Sequence, residues 1–217
     1  SNTFKNIHVN FSNLISKICK EQNVKQFIQL SALGIEKAQN TDYGKSKLLS
    51  ENIIKKNFPN AVILRPSVVF SVDDNLTTSF MTMLNRLPFF PIFRDPKFTP
   101  IHVSDLTEII YQVILREILS ETIECIGPEV ISLKEILQKL LKHINKKRLL
   151  VPVPIPVAKL MAKFFQVFPN PLITEDQLEL LAYDNVKTNK YKNNFDIGIP
   201  SINTFDVEVE KYSFMWK

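Results

Sequence analysis

Gln29-Leu-Ser-Ala-Leu-Gly34, followed by Tyr43-Gly-Lys-Ser-Lys47, is the stretch that decides the fold. Gln26-Phe-Ile-Gln-Leu30 reads as a short apolar strand, which puts Ser31 at its carboxyl end. Thr41 or Asp42 caps the next helix, expected over 43–56. Ala61-Val-Ile-Leu-Arg65 reads as a second buried strand, ended by Pro66. Upstream, Phe4, Ile7, Phe11, Leu14, Ile15 and Ile18 recur at helical spacing and predict an amphipathic helix over 4–22. Helix, strand, helix, strand at such short spacing is the rhythm of parallel crossover units, so the fold class is α/β.

Beyond Pro66 the pattern loosens. A helix is expected over 76–87, then a loop over 88–100, where prolines and aromatics crowd. Ile101-His-Val103 reads as a strand, with Ser104 or Asp105 capping a helix that runs to about 115. A strand over 123–126 ends at Gly127-Pro128, and Ser132 with Glu135 forms a capping box for a helix over 132–144. The segment 151–156 is extended, helices follow near 157–167 and 174–183, and the polar tail from Thr188 is expected to be irregular. The expected architecture is a partial Rossmann-type parallel sheet with helices over 1–116, joined to a smaller, mostly helical carboxyl-terminal lobe over 117–217.

Composition narrows the function classes. With 45% hydrophobic and 23% charged residues in 217, the chain can bury a core. The net charge of +5 is scattered, and its one dense cluster, Lys146-Lys147-Arg148, reads as a solvated helix end. No basic and aromatic platform for nucleic acid is present. Cys19 and Cys125 have no Cys or His neighbour at ligand spacing, so neither a metal site nor a disulfide framework is expected. No stretch is long enough to span a membrane. Ile155 to Phe168 comes nearest, but Lys159 and Lys163 break it into an amphipathic pattern.

Tyr43 and Lys47, one turn apart, share a helix face. An ordinary tyrosine titrates near about 10, too high to serve as a base at neutral pH. A nearby ammonium favours the phenolate, and this predicts a lowered pKa for Tyr43 and an acid/base role in carbonyl–alcohol exchange. Ser31 at the strand end is placed to donate a hydrogen bond to the substrate oxygen. Tyr-x-x-x-Lys alone is a weak signal, and Tyr183-Asp-Asn-Val-Lys187 matches it by chance, with no strand or serine before it. The first copy is distinguished by its order: strand, serine, loop, helix, strand.

That order resembles the short-chain dehydrogenase/reductase superfamily in its extended or atypical branch. Phe27-Ile-Gln-Leu-Ser-Ala32, Tyr43-x-x-x-Lys47, Val62-Ile-Leu-Arg-Pro-Ser-Val-Val-Phe70, Pro100-Ile-His-Val-Ser-Asp-Leu106 and Ile126-Gly-Pro-Glu129 carry the resemblance. Leu30-Ser-Ala-Leu-Gly34, Ile63-Leu-Arg-Pro-Ser-Val-Val-Phe70 and Asn170-Pro-Leu-Ile-Thr-Glu-Asp-Gln-Leu-Glu-Leu-Leu181 carry a narrower likeness, to nucleotide-binding accessory subunits of the respiratory complex I alpha subcomplex. The resemblance implies NADP or NAD as cofactor. It maps Ser31, Tyr43 and Lys47 to the catalytic positions, and Tyr43, Lys47, Pro66, Ser67 and Val68 to the cofactor. The positive ring of an oxidised nicotinamide would add to the pull on Tyr43.

Two departures shape the expectation. Ser71 stands where the family usually has glycine, and the Gly-x-x-Gly-x-x-Gly phosphate loop is absent from this chain. The chain therefore reads as the carboxyl-side part of a dinucleotide-binding protein and is expected to bind a dinucleotide poorly by itself. The function implied is an accessory or assembly subunit of a respiratory-chain membrane complex, related to NADH:ubiquinone oxidoreductase and to ubiquinone metabolism. Its place would be cytoplasmic or on the mitochondrial-matrix side, peripheral to the inner membrane. The alternative is an active epimerase, dehydratase or carbonyl reductase acting on a small molecule through Ser-Tyr-Lys. A further expectation concerns the first helix and strand: an apolar helix face and the strand at 26–30 left open as an edge.

Overall fold

The computed structural model describes residues 4–165 and 174–217. In chain order, a π-helical stretch (Lys5–Asn10) leads into α1 (Phe11–Glu21), β1 (Ile28–Leu30), α2 (Asp42–Asn57), β2 (Val62–Pro66) and β3 (Val69–Phe70). Next come α3 (Thr77–Arg86), β4 (Phe89–Ile92), β5 (Lys97–Phe98), β6 (Ile101–His102), α4 (Val103–Leu115), β7 (Thr122–Cys125) and β8 (Ile131–Ser132). The chain ends with α5 (Leu133–His143), β9 (Leu149–Pro152), α6 (Ile155–Phe165), α7 (Glu175–Leu180), β10 (Lys192–Asn193), α8 (Phe205–Ser213) and a final 3-10 turn (Phe214–Trp216).

The main sheet is wholly parallel, with strand order β1-β2-β7-β10. Its central strand β2 is buried on both faces, as a parallel strand covered by helices must be. Val62 and Leu64 pack with Ile109, Val113 and Ile123 on one side, and Ile63 meets Ile54 and Phe58 of the α2 side on the other. The α/β fold and the Rossmann-type parallel sheet are as expected. Two of the four strands, β7 and β10, come from beyond residue 117, across the boundary expected at 116/117.

A second core sits beside the sheet. Met81 and Leu84 of α3 pack with Leu137 and Leu140 of α5 and with Phe205 and Val209 of α8. Ala158 and Ala162 of α6 pack on Leu178 of α7. The capping box of α5, Ser132 with Glu135, forms as the sequence indicated, and Thr174 with Gln177 makes a second one at α7.

Several expectations are corrected. The segment 88–100 is not all loop: β4 pairs in parallel with β9, and β5 pairs antiparallel with β8. His102 caps α4 through its ring, taking the Ser104 N–H at 3.4 Å, so Ser104 and Asp105 lie inside the helix. Asp105 is buried and accepts from the backbone of Asn203 at 3.1 Å and its amide at 2.7 Å, which pins the tail. The tail itself is ordered into β10 and α8. The helix expected over 157–167 begins at Ile155, and its last two positions, like the start of the 170–181 motif, lie outside the described residues.

The amino-terminal helix turns its polar side inward. Ser50 and Ser12 share a hydrogen bond of 2.8 Å between buried hydroxyls, and Asn57 donates to Ser16 at 3.0 Å. Phe4, Ile7, Phe11, Leu14 and Ile18 face outward, each 40 to 59% exposed, and β1 is the open edge of the sheet.

Candidate functional site

The carboxyl ends of β1 and β2 lie side by side, paired through Leu30 and Leu64. Beyond them the chain continues in register, with Ser31 N–H donating to Leu64 O at 2.7 Å and Leu33 N–H to Pro66 O at 2.9 Å. Ser31 and Pro66 are therefore neighbours at the rim of the sheet, where open α/β sheets place their ligands. A cleft of about 450 Å³ opens there, lined by Ser31, Tyr43, Pro66, Ser67 and Val68 among others. Five of the six expected site residues thus share one cavity.

Ser31 is 6% exposed, and its Oγ has no hydrogen-bond partner. A buried hydroxyl left unpaired costs stability, so its persistence at a cleft wall points to a ligand oxygen. Ser67 differs. Its Oγ is engaged by Asn185, at 2.6 Å from the side-chain oxygen.

Tyr43 lies in the first turn of α2, whose start is closed from three directions. Thr41 Oγ1 accepts from the Gly44 N–H at 3.0 Å, and Asp176 of α7 accepts from the Asp42 N–H at 2.9 Å. A side chain at Gly44 would collide with the Ala38 carbonyl, so the turn holding Tyr43 needs glycine there. The Tyr43 ring packs edge-on against Phe4 and His8, with centroids 5.9 and 5.8 Å away.

Lys47 sits beside this cleft and not in its lining. Its Nζ lies 5.9 Å from the Tyr43 ring centroid and 3.4 Å from Leu30 O, at the strand end preceding Ser31. The expected lowering of the Tyr43 pKa is reversed: burial of the phenol pushes it above its ordinary value. Burial lowers the Lys47 ammonium in turn, against an opposing pull from Glu51. Desolvation outweighs the single cation, because Lys47 is drawn toward the strand-end carbonyl.

Sequence reasoning missed Asn185. Its amide donates to Leu33 O at 2.7 Å while its Oδ1 accepts from Ser67, so one side chain ties the loops after β1 and β2 together. Its backbone N–H also donates to Lys97 O at 2.7 Å. Asn185 lies within Tyr183-Asp-Asn-Val-Lys187, the match set aside as chance. Tyr183, Asp184 and Asn185 all line the cleft, though no helix carries that pair as α2 carries Tyr43 and Lys47.

Ser31, Tyr43 and the Pro66–Val68 turn share the wall of this one cleft. The start of α2 offers no pyrophosphate cradle, because Thr41 and Asp176 already take its first amides. Among the described residues no group of His, Cys, Asp or Glu could hold a metal ion, and Cys19 and Cys125 are free thiols.

Comparison with known proteins agrees with this fold. A family model described as the RmlD substrate binding domain matches residues 36–163. The mitochondrial NADH-ubiquinone oxidoreductase 40 kDa subunit of Neurospora crassa is 25% identical over 91% of this chain and 52% of its own length. The mitochondrial NADH dehydrogenase [ubiquinone] 1 alpha subcomplex subunit 9 of Mus musculus is 26% identical over 90% of this chain and 53% of its own. The chain thus spans about half the length of these relatives. Among solved structures, the dTDP-glucose 4,6-dehydratase of Bacillus anthracis, crystallised with NAD, superposes with a TM-score of 0.69 at 13% identity, over 94% of this chain and 65% of that one. The UDP-glucuronic acid 4-epimerase of Bacillus cereus, in complex with UDP-glucuronic acid and NAD, gives 0.64 at 17%, over 97% and 68%.

Proposed function

Because the chain belongs to the family of the RmlD substrate binding domain, we propose that it supplies the nicotinamide-facing side of an NADP or NAD site. It does so as an accessory subunit of the mitochondrial NADH:ubiquinone oxidoreductase. The names of its relatives in Neurospora crassa and Mus musculus support the assembly, and the cleft supports the cofactor. The observation that carries the reading is Ser31 Oγ, buried and unpartnered in a cleft walled by Pro66, Ser67 and Val68.

When bound, the nicotinamide accepts or donates a hydride. The chain's own residues do the rest. Ser31 donates a hydrogen bond into the cleft. Tyr43, held protonated at neutral pH by its burial, presents an O–H and not a phenolate. Lys47 sets its Nζ between the Tyr43 ring and the Leu30 carbonyl. Ser67 and Val68 bound the ring pocket, and Asn185 fixes its width. The dinucleotide side is proposed to draw on 1–116 together with β7, β10 and Asn185, and the rest of 117–217 to meet substrate or partner.

Attachment to the complex is proposed to be peripheral and on the matrix side; no helix among the described residues is long and apolar enough to cross a membrane. The test is native electrophoresis of gently solubilised mitochondria carrying a tagged copy, with NADPH titration of the purified protein. Co-migration with the complex, and NADPH binding weakened by Ser31→Leu, are expected. Free migration removes the assembly, and NADPH binding unchanged by Ser31→Leu removes Ser31 from the cofactor site.

The second reading, an active reductase, epimerase or dehydratase, is favoured by one observation: Ser31 and Tyr43 line the same cleft. Under it, Tyr43→Phe abolishes turnover and spares cofactor binding.

A further inference from the structure

A larger cavity, of about 680 Å³, opens beside the cleft. α3, α5 and α7 wall it, through residues such as Phe80, Met83, Ile136 and Leu180. Phe98, Leu180 and Leu181 line both spaces, so the two are contiguous across an apolar threshold. The volume falls within the range of small-molecule sites, about 300–1,000 Å³.

The lining has a distinctive chemistry. No described residue around the larger cavity is charged. Its polar groups are hydroxyls and amides, and three of these are already engaged, Thr78 Oγ1 donating to the Asp74 carbonyl. Thr82 Oγ1 accepts from the Trp216 indole at 2.9 Å, and Gln177 closes the capping box of α7. The one formally charged side chain lining the adjoining cleft is Asp184, an anion. The chain carries 27 lysines and arginines, yet none of them lines either space. A nucleoside diphosphate brought here would lose its hydration and meet no cation, which disfavours it strongly. An uncharged apolar body would release water from Phe80, Met83 and Ile136 and lose nothing.

We propose that this cavity binds an uncharged, mostly apolar small molecule bearing one carbonyl or hydroxyl oxygen. The apolar body lies between α3, α5 and α7, and the oxygen reaches past Phe98 and Leu181 toward Ser31 and Tyr43. The orientation rests on the reading of the cleft as the nicotinamide side. The chemical class rests on the lining alone.

Prodan, a neutral naphthyl ketone whose emission moves to the blue in apolar surroundings, is a suitable probe for titrating the full chain. Uridine diphosphate is the competitor. Prodan should bind and resist displacement by uridine diphosphate. Met83→Arg places a cation in the wall and should weaken prodan at least about tenfold. Ser79→Trp starts from an exposed position on α3 and fills the cavity without burying a charge, so it gives the same loss even if the arginine variant misfolds. The apolar stripe on α1 is the rival site for a dye, and neither substitution touches it.

Prodan binding unchanged in both variants, or displaced by uridine diphosphate at equal concentration, overturns the proposal. NADPH titration separates it from the function proposed above. Loss of prodan in both variants with no NADPH binding leaves this site standing and removes the other. NADPH binding with prodan indifferent to both variants does the reverse.

Discussion

Asp176 holds Tyr43 by its backbone: a carboxylate oxygen of the α7 residue accepts the Tyr43 N–H at 3.3 Å, while the other takes the Asp42 N–H. A residue of α7 thereby caps the helix that positions the candidate proton donor. The negative charge also faces the positive end of α2. Losing such a cap costs about 1 kcal/mol. Asp176→Ala should lower the thermal midpoint by roughly 2–4 °C for a chain of this size. Asp176→Asn, which keeps an acceptor, should fall between the two. If neither moves the melting curve, Asp176 does not hold the site helix.

Arg65 and Glu51 make a second test, of the ground beneath the site. Arg65 on β2 is 3% exposed and Glu51 on α2 is 1% exposed. They form a bidentate pair, with Nε and Nη2 at 2.9 and 2.7 Å from the two carboxylate oxygens. The Tyr191 ring lies 4.5 Å from the guanidinium, and Glu36 accepts from it at 3.3 Å. Burial alone would lower the Arg65 pKa, but the bonds from Glu51 outweigh it and raise it. Arg65→Met strands Glu51 in the core and should cost about 3–5 kcal/mol in urea unfolding. Arg65→Met with Glu51→Leu should recover most of that, since two apolar groups leave no buried charge. A double variant as unstable as the single one would show that the network, not the lone charge, sets the cost.

The sequence exposed the layer around Ser31 and Tyr43 because local rules govern it. The β1–α2–β2 crossover is contiguous, and its apolar strand runs and the Thr41 cap are local signals that stand in the residues. The β4–β9 pair was hidden because the two strands lie far apart in the chain and β4 carries a proline. α8 was overlooked, though Phe205, Val209 and Tyr212 recur at helical spacing and are buried. The polar run before it masked that signal. Asn185 left none, since a bridging amide has no spacing rule. The expected acidity of Tyr43 failed for another reason. The helix places Lys47 correctly along the chain, but the side chain reaches the Leu30 carbonyl and burial decides the phenol.

His8 makes the pairing of the amino-terminal helix with Tyr43 sensitive to pH. Its ring lies against Phe4 and Tyr43, its Nδ1 is 2.8 Å from Ser46 Oγ, and Lys47 is the nearby cation. Burial first, and Lys47 second, lower its pKa from the ordinary 6.5. The folded state thus binds this proton less readily than the unfolded chain. The contribution to stability is complete above 6.5 and is lost as the pH falls from there through the lowered folded value. Melting temperatures measured between neutral and acidic pH should drop across that window, and His8→Gln should flatten that part of the curve. An unaltered slope in the variant would remove His8 from the acid sensitivity of that window; the Glu36 and Asp206 carboxyls act in a more acidic one. Those are held below their ordinary values, burial being outweighed by Tyr191 and Lys190 for Glu36 and by Lys139 and His143 for Asp206. Their contribution is lost only at lower pH, as it falls through their own folded values.

The outward stripe of α1 and the open edge of β1 set the solution behaviour. Phe11 and Leu14 are 59 and 57% exposed, and Leu30 on β1 is 41% exposed. An apolar row beside an unpaired parallel strand is a template for association. The inward side of α1 is held by Ser12 and Ser16, whose small polar contacts with α2 specify the packing without demanding that the helix flip. Leu14→Lys with Phe11→Lys should therefore reduce concentration-dependent association in sedimentation velocity. It should leave the melting temperature within the range of surface substitutions, about 0.5 kcal/mol. Ser16→Leu should do the opposite, because it forces bulk into a fully buried position against Asn57. A doubly substituted chain that still self-associates as the parent does would move the adhesive surface from this helix to the β1 edge, where Leu30→Lys is the next change to make.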